Sequence, residues 1–376
     1  MRRSSLALSR SVFLACSWTW CIGMFLPVFL VKDFGVWGWV AFALPNVVGA
    51  AAVGLIVRTP PRSKQTVERH APAMRVFSAV TIAFHFYFLG QILRVIDLPT
   101  GPMGDLVAAG GLIALAALAV WATGWLKTTG WLWFAVATLA LSALAGALMY
   151  RMSSGHAYAP PPNVGEYSMG DLLWFSPALF FGFLLCPHLD LTFHRVRQEA
   201  PGRDGDIAFL IGFCVFFLGL IAFSLAYVAS FLGIAWLNSW ILLHFFIQSV
   251  FTTGAHRREL KSIQPGAQGR LVAVIVIAGV VMGLFWPADH FRLGYDLILY
   301  AYTIPFPAYV WIVMIPRRRK AARPAFATWL YSVAGATPIF ALGYLGHVWW
   351  LIPVSIALPL VAPIVHRPDV AASETH

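Results

Sequence analysis

Long apolar runs separated by short polar connections make up most of the 376-residue chain. A helix needs about 20 apolar residues to cross a hydrocarbon core of roughly 30 Å. On that rule the runs predict about twelve transmembrane helices, near 11–31, 36–57, 73–96, 104–124, 130–150, 170–197, 206–230, 234–255, 271–287, 293–316, 325–344 and 347–365. The pattern is that of an all-α polytopic membrane protein.

Two spans break the apolar pattern at mid-depth. In the sixth, the apolar part from Asp171 to Pro187 is barely long enough, and His188, Asp190, Thr192 and His194 follow at once. Leu189, Thr192, Phe193 and Val196 nevertheless recur at helical spacing, so a helix continuing to Gln198 carries His188 and Asp190 into the bilayer. Pro177, Gly182 and Pro187 offer places to break it. The first span has a polar and aromatic stretch from Ser17 to Gly23, followed by Pro27. Backbone groups freed by such breaks find no partner in hydrocarbon and must face protein, water or a ligand. Spans one and six run in opposite directions, as expected of an inverted repeat whose broken helices meet at the midplane to build a solute site. The alternative is the ordinary abundance of Pro and Gly in membrane helices.

Charge sets the orientation. Arg2, Arg3 and Arg10 precede the first span, and the turn after it holds only Lys32 and Asp33, which offset one another. Basic connections (Arg58–Arg69, Lys127, Arg195–Arg203, Arg257–Lys261, Arg317–Arg323) alternate with acidic or uncharged ones (Asp97–Asp105, Arg151–Asp171, the turn at Gly233, Asp289, the turn at His347). Because cytoplasmic loops are rich in Lys and Arg, the alternation predicts a multi-pass protein of the inner (plasma) membrane with cytoplasmic N- and C-termini. Composition agrees: 60% of residues are hydrophobic, 11% are charged and the mean hydropathy is +0.76. The net charge of +11 sits in loops facing anionic headgroups, so the partner expected is the lipid bilayer and not nucleic acid. Cys16, Cys21, Cys186 and Cys214 lie within apolar runs without paired spacing, unlike a disulfide framework or a zinc site. The first run is too long for a signal-peptide core and is expected to be a membrane helix.

The stretch Phe180-Phe181-Gly182-Phe183 through Cys186-Pro187-His188-Leu189-Asp190, with Arg195 to Arg203 after it, resembles the sixth helix and following loop of amino acid/polyamine permeases. Trp37-Gly38-Trp39 through Phe42-Ala43-Leu44-Pro45-Asn46 to Ala51 is similar to the second helix of sodium:solute symporters. Both families belong to the amino acid-polyamine-organocation (APC) superfamily of secondary transporters with the LeuT fold. The resemblance implies a five-plus-five inverted repeat with two C-terminal helices: a first repeat over 1–150, an outer loop over 151–169, a second repeat over 170–316, and peripheral helices with a cytoplasmic tail over 317–376. It implies symport or antiport of a small organic solute, such as an amino acid or nucleobase-like compound, with Na+ or H+ as coupling ion and no other cofactor. The chain departs from the family in its short length, in the tight turn between spans seven and eight, and in Cys186-Pro187-His188, which leaves the substrate class open.

Ionisable side chains at membrane depth are costly and mark function by default. His85 and His244 are the deepest, joined by His188 and Asp190. Polar stripes accompany them: Tyr87, Gln91 and Arg94 on one span, and Gln248 and Thr252 following His244 on another. Each His alone reads equally as one hydrogen-bonded to a neighbouring helix. On the resemblance, the solute would be bound by Trp18, Trp20, Cys21, Gly23, His85, Gln91, Phe180, Gly182, His188, Asp190 and His244. Ser249, Thr252 and Thr253, with carbonyls near Trp20, would supply hard oxygen ligands to Na+; ordinary hydroxyl back-bonding accounts for the same residues. A proton carried by Asp190 or a His is the other coupling ion. Phe181 and Phe183 extend an aromatic wall, and Asn46, Asn238 and Asp296 read as helix-to-helix hydrogen-bonding groups. A membrane-embedded metal oxidoreductase using His85, His188, His194 and His244 stands as a different class, as does a non-transporting sensor or assembly protein. No HxxxH cluster, phosphate loop or catalytic triad is present, so any transport would be driven by an ion gradient and not by ATP.

Overall fold

The computed structural model describes residues 3–95, 101–152, 161–232, 240–262, 268–315 and 322–365. Among them 91% are helical and no strand occurs. The helices in chain order are α1 (Arg3–Trp18), α2 (Cys21–Phe34), α3 (Val36–Ile56), α4 (Pro60–Val95), α5 (Gly101–Ala122), α6 (Thr128–Met152), α7 (Met169–Leu185), α8 (Leu191–Glu199), α9 (Arg203–Ile211), α10 (Leu218–Phe231), α11 (Trp240–Ser262), α12 (Gln268–Phe285), α13 (Phe291–Thr303), α14 (Pro305–Tyr309), α15 (Ala322–Leu345) and α16 (Leu351–Val365). A 3-10 turn, Cys186–Leu189, follows α7, and π-helical segments occupy Gly212–Phe217 and Val310–Met314.

Eight helical segments among the described residues are long and apolar enough to cross a membrane, or nine if α1 and α2, bent by 57° at Thr19-Trp20, form one span. A helix lies on every apolar run of the sequence. Fewer meet the criterion than the expected twelve because Gly269–Phe285 and Leu351–Ile364 are short and α11 carries His244, Gln248 and His256 within its apolar run before its charged end. Large apolar side chains face outward, with Val107 68% and Val274 62% exposed, as suits a multi-pass membrane protein. Arg2, Asp97, Gly233, Asn238, Arg317–Lys320 and the tail from His366, used above for orientation, lie outside the described residues.

The chain divides into two compact units. The larger comprises 1–167 and 187–299, and the smaller 168–186 and 300–376.

In the larger unit α4 packs along α12, α11, α5 and α8, while α1 packs on α6, α9 and the first π segment. At three glycines of the α4–α12 seam backbone meets backbone, beside Val276, Val280 and Leu284, which pack on the cluster of Ile82, Phe86 and Leu89. A Cβ on Gly279 would sit 2.4 Å from the Ala83 carbonyl, one on Gly283 2.6 Å from that of Phe86, and one on Gly90 2.6 Å from that of Gly283. Gly279 and Gly283 form a G-x-x-x-G pair, which lets two backbones touch in lipid. Past this seam, Gln91 Nε2 donates to the carbonyls of Gly283 (2.9 Å) and Trp286 (3.0 Å), and Arg94 donates to Trp286 at 2.7 Å. These side chains satisfy carbonyls that the end of α12 leaves open.

Charges in this unit pair across sequence. Asp33 is 1% exposed and takes both arms of Arg292, at 2.7 and 2.5 Å, with the guanidinium 4.8 Å above the Phe29 ring. Lys32 pairs with Glu166 at 3.6 Å. Lys32 and Asp33, which cancel in the charge count of their turn, each have a distant partner. The segment 162–167 is anchored to the same turn, through Val36 N to Pro162 O (2.9 Å) and Tyr167 N to Asp33 O (2.7 Å). Gly35 there has φ +66°, a left-handed conformation that glycine adopts without strain.

The smaller unit consists of α7, the end of α13, α14, α15 and α16, with α16 packed on both α15 and α7. Ser168 caps α7 in a reciprocal box with Asp171, satisfying two orphan amides. Gly182 lets α7 approach the Tyr302 carbonyl, where a Cβ would come within 2.7 Å.

Candidate functional site

The site is built where helix one stops and restarts. Trp18-Thr19-Trp20 leaves the helical path, and Trp20, at φ −79° and ψ 174°, begins α2 without a side chain able to cap it. Helix starts leave amides unsatisfied, and tertiary partners fill the gap. His85 of α4 receives the Cys21 amide on Nε2 at 3.3 Å and holds the Thr81 carbonyl on Nδ1 at 2.7 Å. That assigns the ring as the Nδ1–H tautomer. Tyr295 donates to the Cys21 carbonyl at 3.0 Å, and Tyr227 to that of Met24. The Trp18 indole donates to Asn46 Oδ1 of α3 at 2.6 Å, and the Trp20 indole to the Ser17 carbonyl at 2.6 Å.

The start of α8 meets this break. Asp190 caps α8, its Oδ1 accepting from the Thr192 amide and hydroxyl, both at 2.7 Å. Thr192 Oγ1 then reaches Ser17 Oγ at 3.0 Å, and the Phe193 ring lies 5.0 Å from that of Trp18. From α11, His256 places Nε2 3.7 Å from Asp190 Oδ2, its ring edge-on to Trp20 at 5.6 Å and its Nδ1 3.0 Å from Ser78 Oγ. Asp190 and His256 are both fully buried, and Asp190 Oδ2 and His256 Nε2 carry no hydrogen bond.

Of the residues singled out in sequence, Trp18, Trp20, Cys21, His85 and Asp190 converge here. Thr252 joins them, donating to the Cys16 carbonyl at 3.1 Å, and Ser249 Oγ is buried without a partner. The others lie elsewhere. Gly23 packs on Ile221 and Phe217. Gln91 stitches α4 to α12. Thr253 lines a separate open groove of 510 Å³ with Ile82, Val120, Arg257 and Val276. His244 packs edge-on to Phe223 at 5.8 Å with neither nitrogen bonded, and one turn on Gln248 bonds Ser142 at 3.0 Å. His188 offers its carbonyl to His194 Nε2 at 3.0 Å. Phe180 and Gly182 belong to the smaller unit, Phe180 being 37% exposed. Among the described residues no three His, Cys, Asp or Glu side chains converge in a way that could hold a metal ion.

Next to the site, a charged belt fixes the far end of α8. Arg195 grips Glu259 at 3.0 Å, and Arg197, 1% exposed, donates to the Gly54 carbonyl (2.6 Å) and Asp206 (2.8 Å) over the Phe209 ring. Two arginines of the Arg195–Arg203 run are thus held by partners distant in sequence.

His256 escapes sequence reading because it precedes Arg257 and Arg258, which mark the stretch as a basic loop; its four-residue spacing from Thr252 was the available signal. No family model and no curated protein matches the chain.

Proposed function

We propose that the chain is an ion-coupled secondary transporter of a small organic solute, of the amino acid or nucleobase-like class. The observation that carries this reading is the meeting of the α1–α2 break with the N-terminus of α8, in a place where membrane helices have no structural need to be interrupted. Discontinuous helices expose backbone dipoles that can bind a polar solute and its coupling ion. Around them the interior supplies aromatic faces from Trp18, Trp20 and Phe193, suited to planar or cationic solutes, and a single fully buried carboxylate beside them, Asp190.

The test is uptake into proteoliposomes holding the purified full chain, with labelled amino acids and nucleobases offered under an imposed Na+ gradient, an imposed proton gradient, or neither. Gradient-dependent accumulation of one class, abolished by Asp190→Asn with insertion intact, is the expected result. No accumulation of any solute under either gradient would overturn the reading.

A further inference from the structure

We infer that Asp190 and His256 together form a binding site for one proton. This rests on the transporter reading only for its purpose; the site itself stands on geometry.

Both residues are fully shielded from solvent, and the two facing atoms, Oδ2 and Nε2, are 3.7 Å apart and unbonded. Every other polar atom of the pair is engaged: Asp190 Oδ1 by Thr192, and His256 Nδ1 by Ser78. Leaving a buried donor or acceptor unmade costs about 1–3 kcal/mol, more for a charged group. With the ring proton on Nδ1 and given to Ser78 Oγ, one added proton removes both vacancies at once. Placed on the imidazole it makes an N–H···carboxylate ion pair, and placed on the carboxyl it makes an O–H···N bond; either contact closes to about 2.7–2.9 Å. The proton belongs to the pair and not to one member, so the two groups titrate as one site.

The groups facing the pair are few. From α4, His85 acts on His256, but its Nε2 lone pair is already occupied by the Cys21 amide. From α11, Glu259 acts on Asp190, but Arg195 of α8 neutralises it at 3.0 Å and Arg258 lies 3.9 Å away. The break itself contributes Ser17 and the Trp20 ring, neither of them charged. Among the described residues no Lys or Arg pairs with the Asp190 carboxylate in the way Arg292 holds Asp33.

The pair also spans the moving parts that transport would need, because Asp190 caps α8 and His256 is on α11. Protonation ties these helices together at the break, and loss of the proton releases them.

The experiment uses the full chain in detergent, with infrared difference spectroscopy of the carboxyl band and nitrogen NMR of His256 across a pH titration. Asp190→Asn is conservative here, since its amide oxygen can keep the Thr192 cap. Expected is one proton bound per chain, with carboxyl and imidazole signals moving at a common midpoint. Asp190→Asn should displace the His256 midpoint, and His256→Gln that of the carboxyl band, each by tenfold or more in proton affinity. Independent midpoints, each unmoved by the other substitution, would overturn the inference. Ser78→Ala, which leaves both titrating groups in place, should keep the common midpoint; two separate midpoints in this variant would likewise overturn it. Proteoliposome uptake separates the two claims: a pair that titrates jointly in a chain that moves no solute upholds the site and removes the transport reading. Solute uptake driven only by Na+, with no joint titration, does the reverse.

Discussion

His85→Phe tests whether the break in helix one is held from outside. The ring volume is roughly kept, so little cavity is created, but the Cys21 amide loses its acceptor at 3.3 Å, while Thr81 O keeps its ordinary helical role. An orphaned buried donor costs about 1–3 kcal/mol, whereas side-chain hydrogen bonds measured within membranes average about 0.6 and reach about 1.7 kcal/mol. The bond is long, which argues for the lower part of the first range, yet Trp20 offers no side-chain cap as a substitute. A loss of about 1–1.5 kcal/mol follows, close to tenfold in the unfolding equilibrium. The assay is reversible unfolding in mixed micelles by detergent titration, paired with amide exchange at Cys21, which should accelerate about tenfold. His85→Gln retains an acceptor and should recover at least half the loss. Wild-type stability in His85→Phe, or equal loss in the Gln variant, would show that the break supports itself.

Asn46→Leu strands the Trp18 indole N–H, and should cost about 1–2 kcal/mol in the same unfolding titration. On the α4–α12 seam, Gly283→Leu should cost about 1–3 kcal/mol through overpacking, with Gly283→Ala smaller, while Gly111→Ala, where no atom lies within 4 Å, should change nothing. Arg292→Met leaves the Asp33 carboxylate buried and unpaired and should cost about 3 kcal/mol; the double variant with Asp33→Leu should recover most of it, as read by thermal unfolding in detergent. For orientation, Val164→Cys, at an 81% exposed position, should react with an impermeant thiol reagent from outside and Lys64→Cys only from inside; the opposite result would invert the topology. Gly165 is unsuitable for such a label, because a side chain there would collide with the Asp33 backbone.

What the sequence made legible was whatever chain-local physics controls. Apolar run length located the helices, and the Ser17–Gly23 stretch contains the first break; of the three places offered on the sixth run, α7 passes unbroken through Pro177 and Gly182, and only Pro187 lies where the α-helix gives way to a 3-10 turn. Partners distant in sequence were not legible. Gln91 and His85 look alike as polar residues on one apolar helix, yet one reaches α12 carbonyls and the other an amide at the break; only the packing of three helices distinguishes them. His244 stood out on its apolar run and His256, beside two arginines, did not, yet it is His256 that faces Asp190. Glycines gave the least away, since Gly279 and Gly283 read as ordinary small residues until a second backbone lies against them.

The backbone contact between α4 and α12 also limits how the molecule can move. Two helices separated by a layer of side chains can slide or roll as rotamers exchange, but carbonyls seated against glycines allow no such adjustment. At Gly90, Gly279 and Gly283 the pair is therefore coupled backbone to backbone, as a strut. His85 is fixed to that strut and holds the Cys21 amide, and Ser78, on the same helix, holds His256. A motion that opened the break while α4 stayed in place would have to part the bonds that His85 and Ser78 make across it.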